Sequence, residues 1–135
     1  MQVEQLNGLA LAYLGDAAYE VRVRAYLLAT GLTRPRDLHE RATHLVSAPA
    51  QAAVITHWLD TEALTDEEVA YFKRGRNASP HTQAKNASTQ AYRLATGFES
   101  LLGYLYGQED HTRFDKLVQD ACMYLEEVHH GKIES

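Results

Sequence analysis

Two short stretches hold the residues best suited to chemistry: LALAYLGDAAYE at Leu9 to Glu20 and TGFESLLGYLYG at Thr96 to Gly107. Each sets a carboxylate, Asp16 or Glu99, among small and apolar neighbours, where a lone buried charge is costly unless it is paired or bound to a metal. Two such acids brought together make a cation site. A hard ion such as Mg²⁺ prefers carboxylate oxygens, keeps several waters, and often takes only one or two protein carboxylates beside substrate phosphate oxygens. On a phosphodiester such an ion polarises the phosphoryl oxygen, makes water a usable nucleophile and offsets charge on the leaving oxygen. No side-chain nucleophile is then required, and neither Ser79 nor Ser88 has a paired His-Asp arrangement. Gly15, Ala17 and Ala18 keep the backbone around Asp16 slim, and Glu20 follows one turn later on the same helical face. Spacing alone leaves a plainer alternative standing, with Asp16 a capping or ion-paired acid and Glu99 a surface acid.

The elements that must position these acids read as helices nearly throughout, because the apolar spacing is helical and no stretch alternates cleanly. The expected fold class is all-α. A first helix is predicted from about Leu6 to Leu28, with Leu9, Tyr13, Val21 and Leu28 among its buried positions, a bend at Gly15 and a stop at Thr30-Gly31. Pro35 suits a first turn, giving a second helix over Asp37 to Val46; Ser47 and Pro49 open a third, to about Leu59. Thr65 with Glu68 fits a capping box for a fourth, fraying by Gly75, and Arg76 to Asn86 reads as a loop. Ser88 or Thr89 then caps a long helix to about Tyr106. After Gly107, Asp110 caps a last helix with Phe114, Leu117, Val118, Ala121 and Leu125 on one stripe, ending near Gly131.

A chain of 135 residues suits one compact domain, expected to span 1–135. No apolar run approaches the roughly 20 residues of a membrane span, and there is no basic-then-apolar leader, so no membrane partner and a cytoplasmic location are expected. Cys122 is the single cysteine and reads as a small core residue. The seven histidines lack a spaced partner set, and Trp58 and the tyrosines fall on helical stripes that favour packing. The formal charge is −5, but it is unevenly spread: no acid occurs from Val69 to Phe98, a window holding Lys73, Arg74, Arg76, Lys85 and Arg93. Such a strip on an acidic body can hold a phosphate backbone, and it can equally be a solvated loop.

The Leu14-Gly15-Asp16-Ala17 run resembles the signature helix of the ribonuclease III catalytic domain, and Phe98-Glu99-Ser100-Leu101-Leu102-Gly103 resembles that family's second acidic motif. The segment between them, His39-Glu40-Arg41-Ala42-Thr43 through Leu45-Val46-Ser47, is similar as well. At this length the chain looks like the family's short branch, mini-ribonuclease III, which lacks the usual double-stranded-RNA-binding domain; Asn7 to Ala12 and Lys73 to Ala78 also resemble that branch. The resemblance implies Asp16 and Glu99 as catalytic and metal-binding acids, with Glu20 an outer-shell candidate. Leu9, Ala12 and Thr96 stand where the larger family carries further acids, which puts a second tightly held metal in doubt.

What the resemblance further implies is an α-helical homodimer that uses Mg²⁺, with Mn²⁺ able to substitute, to cut each strand of an RNA duplex. The implied substrate is precursor 23S ribosomal RNA, and whether a large-subunit ribosomal protein presents it stays open. Without a separate RNA-binding domain the catalytic body must grip the duplex itself, which makes Lys73, Arg74, Arg76 and Lys85 phosphate-contact candidates and Asn77 and Asn86 candidate donors. Tyr13 is suited either to packing across the dimer or to the core. The rival expectation is a ribosome-assembly factor that binds RNA on this fold and has lost hydrolysis.

Overall fold

The computed structural model describes residues 1–79 and 87–131. A 3₁₀ turn, Val3–Gln5, precedes six helices: α1 Gly8–Ala29, α2 Pro35–Val46, α3 Ala48–Asp60, α4 Asp66–Ala78, α5 Ala87–Tyr106 and α6 Thr112–His129. The fold is all-α, with no strand among the described residues. Local chemistry sets the helix starts. Asn7 Oδ1 accepts from Ala10 N at 2.9 Å, Ser47 Oγ from Ala50 N at 3.3 Å, and Thr65 and Glu68 close a reciprocal capping box. Asp110 Oδ1 takes the Thr112 N–H at 2.9 Å where α6 begins. Gly31, at φ +99°, turns the chain out of α1 in a conformation that other residues rarely adopt.

Helix α5 is the spine, packed by α1, α3 and α4. Its Phe98 is fully buried, edge-on to Tyr19 of α1 at 5.1 Å and stacked with Trp58 of α3 at 5.6 Å between ring centroids. The Tyr19 hydroxyl donates to the Leu45 carbonyl of α2 at 2.7 Å, so one phenol ties three helices together. Helix α6 closes the body with the predicted stripe of Phe114, Leu117, Val118, Ala121 and Leu125, all buried, and Cys122 lies among them. Ion pairs fasten α6 at its rim: Arg22 with Asp115 at 2.8 Å, Arg41 with Glu126, and Arg113 with Glu68 at 2.8 Å. Burial by itself would raise the Glu68 carboxyl, but the Arg113 guanidinium and the Thr65 cap hold it below its ordinary value.

Close approach, rather than side-chain bulk, joins α1 to its neighbours. A Cβ on Gly15 would sit 1.9 Å from the Glu99 carbonyl oxygen, one on Gly103 1.9 Å from the Leu11 carbonyl oxygen, and one on Gly8 2.4 Å from the Arg74 carbonyl oxygen. The helices therefore lie backbone on backbone. This corrects the burial expected for α1. Leu9, Tyr13, Val21 and Leu28 are exposed, and the inward face is Gly8, Leu11, Ala12, Gly15, Ala18, Tyr19, Val23 and Leu27. Apolar residues surround this helix, so hydrophobicity could not select a face; the small residues did. Gly15 marks no interruption, since α1 runs unbroken through it.

Helix α4 also outlasts its expected end, continuing to Ala78, because Gly75 is a packing position rather than a terminator: its Cβ would meet Ser100 Cβ at 2.3 Å. Lys73, Arg74, Arg76 and Asn77 are helical as a result. Helix α5 begins at Ala87, so Ser88 and Thr89 lie inside its first turn rather than before it. If the α1–α5 crossing is fixed by sterics, Gly15→Ala and Gly103→Ala each lower stability by about 3 kcal/mol, the upper range for over-packing a filled interior. Thermal melting of the two variants tests this; a melting temperature equal to wild type would show that the helices can separate freely.

Candidate active site

Gly15 precedes Asp16, and the same glycine touches the backbone of Glu99. Once α5 is seated against Gly15, the side chains of the two acids are delivered to one place. Asp16 is exposed on α1, while Glu99 is partly buried on α5 with its carboxyl within hydrogen-bonding reach of Asp16. Phe98, wedged between Tyr19 and Trp58, fixes the rotation of α5 that turns Glu99 toward α1.

This proximity has an electrostatic cost. Burial pushes the Glu99 carboxyl up to about 7, and the nearby Asp16 charge together with the hydrogen bond between the two acids pushes in the same direction. A hydrogen bond from Gln51 Nε2 to Glu99 Oε2, 3.3 Å long, works against the rise. Two acids that resist simultaneous ionisation form a pair that a cation would relieve. The donors gathered here are all oxygens, a set that suits a hard divalent ion rather than a thiophilic one. Among the described residues no cluster of three or more His, Cys, Asp or Glu side chains has metal-holding geometry, so two carboxylates are what this place offers, the number that suffices when water and phosphate complete the shell.

The other expected residues distribute differently. Glu20 pairs with Arg24 Nε at 3.2 Å along α1. Arg74 points toward the amino terminus, where its Nη1 donates to the carbonyls of Glu4 and Leu6, both at 2.9 Å, and its guanidinium lies over the Tyr71 ring at 4.5 Å. Arg76 covers the Phe72 ring at 5.4 Å and donates to Asn77 Oδ1 at 3.3 Å; Lys73 is exposed. Lys85 and Asn86 lie outside the described residues. Gln51 was not among the residues expected from the sequence. Its only sequence signal was an amide in the otherwise apolar run Ala48 to Ile55.

An all-helical body with two motif acids meeting where α1 crosses α5 defines a class, and comparison with known proteins agrees: the chain belongs to the ribonuclease III family, whose Ribonuclease III domain matches residues 9–110. It is an endoribonuclease of that type. Within the family it groups with mini-ribonuclease 3. The Mini-ribonuclease 3 of Enterococcus faecalis is 55% identical over 115 residues, covering 85% of this chain and 87% of that one. That of Streptococcus pneumoniae is 46% identical, covering 93% and 98%. A crystal structure of a Fusobacterium nucleatum protein superposes with a TM-score of 0.72 at 26% identity, over 86% of this chain and 92% of that one.

The raised carboxyl fixes the sign of a pH effect. Between about 4.5, the ordinary value, and about 7, the unfolded chain has released the Glu99 proton while the folded chain keeps it. Stability contributed by this group therefore falls as pH rises through that window and levels off above it. In EDTA, Glu99→Gln should match wild type at pH 4 and melt about 3–5 °C higher at pH 8, the response of a domain this size to ~1 kcal/mol. Melting curves across pH decide it; parallel curves for the two proteins would remove the buried acid pair as a source of strain.

Proposed function

We propose that this protein hydrolyses phosphodiester bonds in double-stranded RNA with Mg²⁺, or Mn²⁺ in its place, held by Asp16 and Glu99. The observation that carries the reading is the meeting of these two carboxylates at the Gly15 crossing, where one of them ionises reluctantly. When bound, the cation supplies polarisation of the scissile phosphoryl oxygen and a water acidic enough to attack near neutral pH. Asp16, on the solvent side, is the acid an incoming RNA backbone meets first. Glu99, held deeper by Gln51, can retain or release a proton close to neutral pH, so its ionisation and cation binding are coupled.

The same reading extends to assembly and substrate. Tyr13, 86% exposed, and Leu9, one turn before it, form an apolar face beside Asp16 that a second copy of the chain would cover. A two-fold homodimer would set two such sites against the two near-symmetric strands of an A-form duplex. We take residues 1–135 as one catalytic unit working in the cytoplasm, and precursor 23S ribosomal RNA, trimmed near the duplex formed by its ends, as the substrate. A large-subunit ribosomal protein presenting that RNA belongs to the same reading. Among the described residues no helix is long and apolar enough to cross a membrane.

The decisive assay is cleavage of labelled duplex RNA, including a precursor 23S end duplex, in Mg²⁺ or EDTA. Discrete products should disappear with chelation, and Asp16→Asn or Glu99→Gln should slow cleavage by on the order of 10²-fold or more, the scale for losing a group that stabilises transition-state charge. Binding without cutting by all three proteins would overturn the reading.

The basic residues of α4 separate in a second experiment, anisotropy titration of duplex RNA over a range of salt. Lys73→Gln should weaken binding and lower the slope of log affinity against log salt by ~0.9, one phosphate contact. Arg74→Gln should instead lower the melting temperature, since two charge-assisted hydrogen bonds worth about 1.5–3 kcal/mol each are lost. An unchanged slope for Lys73→Gln would take it off the RNA path.

A further inference from the structure

Gln51 sits in the first turns of α3 and is only 3% exposed. Its Nε2 serves two acceptors, the Val46 carbonyl at the end of α2 at 3.1 Å and Glu99 Oε2 at 3.3 Å. Turning the amide over would face both acceptors with a third oxygen, so its orientation is set. Oε1 is then left buried with no donor among the described residues. An amide oxygen in that state costs free energy that a leucine or methionine of similar size would not. Packing alone would therefore be better served by an apolar side chain, and the amide has to be explained by what it touches.

What it touches is the deeper of the two acids. We propose that Gln51 is a positioning residue for the active site: Nε2 holds the Glu99 carboxylate toward Asp16, and Oε1 serves as acceptor for the water shell of the divalent cation these acids bind. This rests on the metal-dependent reading above. A hydrated divalent ion keeps several waters whose hydrogens need acceptors, and a buried carbonyl oxygen beside the ligand carboxylate is such an acceptor. The Val46 bond supplies the rigidity, because it anchors the same amide nitrogen to the α2–α3 junction. Helix α3 thereby joins α1 and α5 in shaping the site while placing no carboxylate in it.

The test uses Mn²⁺ alone, followed by electron paramagnetic resonance, on the full chain without RNA. Gln51→Met keeps the volume and removes both functions of the amide. It should stay folded, with the relief of the unpaired Oε1 set against the loss of the Val46 bond, yet bind Mn²⁺ about 10-fold more weakly, the usual scale for losing a partner of a metal ligand. In cleavage assays kcat at limiting Mg²⁺ should fall by a similar factor with KM for the duplex unchanged. Mn²⁺ affinity within about twofold of wild type, in a folded variant, would overturn the proposal, because loss of a ligand's partner exceeds that. Should Gln51→Met not fold, the wild-type protein carries the test. The Gln51 side-chain amide resonances in ¹⁵N NMR should move on adding Mg²⁺ and stay still in Asp16→Asn, and a signal that ignores Mg²⁺ overturns it. A wild-type protein that takes up no Mn²⁺ at all would sink the metal reading itself, a result distinct from one in which wild type and Gln51→Met bind equally.

Discussion

Everything in this molecule depends on how closely α1 and α5 approach. Two glycines on opposite helices, Gly15 and Gly103, each occupy the space where a Cβ would strike the other helix's carbonyl oxygen. Contact of this kind has almost no tolerance, since backbone atoms cannot move to a new rotamer as side chains do. Gly8 repeats the device between α1 and α4, and Gly75 repeats it between α4 and α5. Three helices are thereby held at distances set by main-chain atoms. Phe98, with Tyr19 and Trp58 around it, then fixes how α5 is rotated within that frame.

The frame explains why an unfavourable arrangement of charge persists. Glu99 is placed in a partly buried spot beside another carboxylate, and burial and repulsion both oppose its ionisation. A loose structure would relax by turning the acids apart. Here the backbone contact at Gly15 and the amide of Gln51 oppose that relaxation, so strain is kept in the protonation state of one group rather than dispersed through the fold. Several acids elsewhere have arginine partners: Glu68 has Arg113, Glu20 has Arg24, and Glu126 has Arg41. The contrast separates acids that hold the fold from the pair that does not.

Much of this was legible in the chain. Caps at Ser47 and Thr65, the proline starts and the α6 stripe follow local rules and appear where those rules put them. Asp16 and Glu99 were legible through their motifs, and their meeting follows from both lying at the one crossing. The inward face of α1 was not legible, because Leu9, Tyr13, Val21 and Leu28 are as apolar as the residues that are buried, and glycine carries no hydrophobic signal. The local role of Arg74 was not legible either, because a sequence shows its charge but not the Glu4 and Leu6 carbonyls to which it donates. Gln51 escaped notice since its importance lies in an acid nearly fifty residues away.

The placement of the two acids on the first and fifth helices also has a temporal side. Asp16 leaves the ribosome early and Glu99 late, with three whole helices between the two that carry them. A nascent or truncated polypeptide lacking α5 carries a signature acid but has nothing to pair with it, and Gly15 has no neighbour to admit. The meeting of the two acids is therefore tied to completion of the tertiary fold rather than to any single segment, and a fragment made only of the amino-terminal helices cannot assemble the pair.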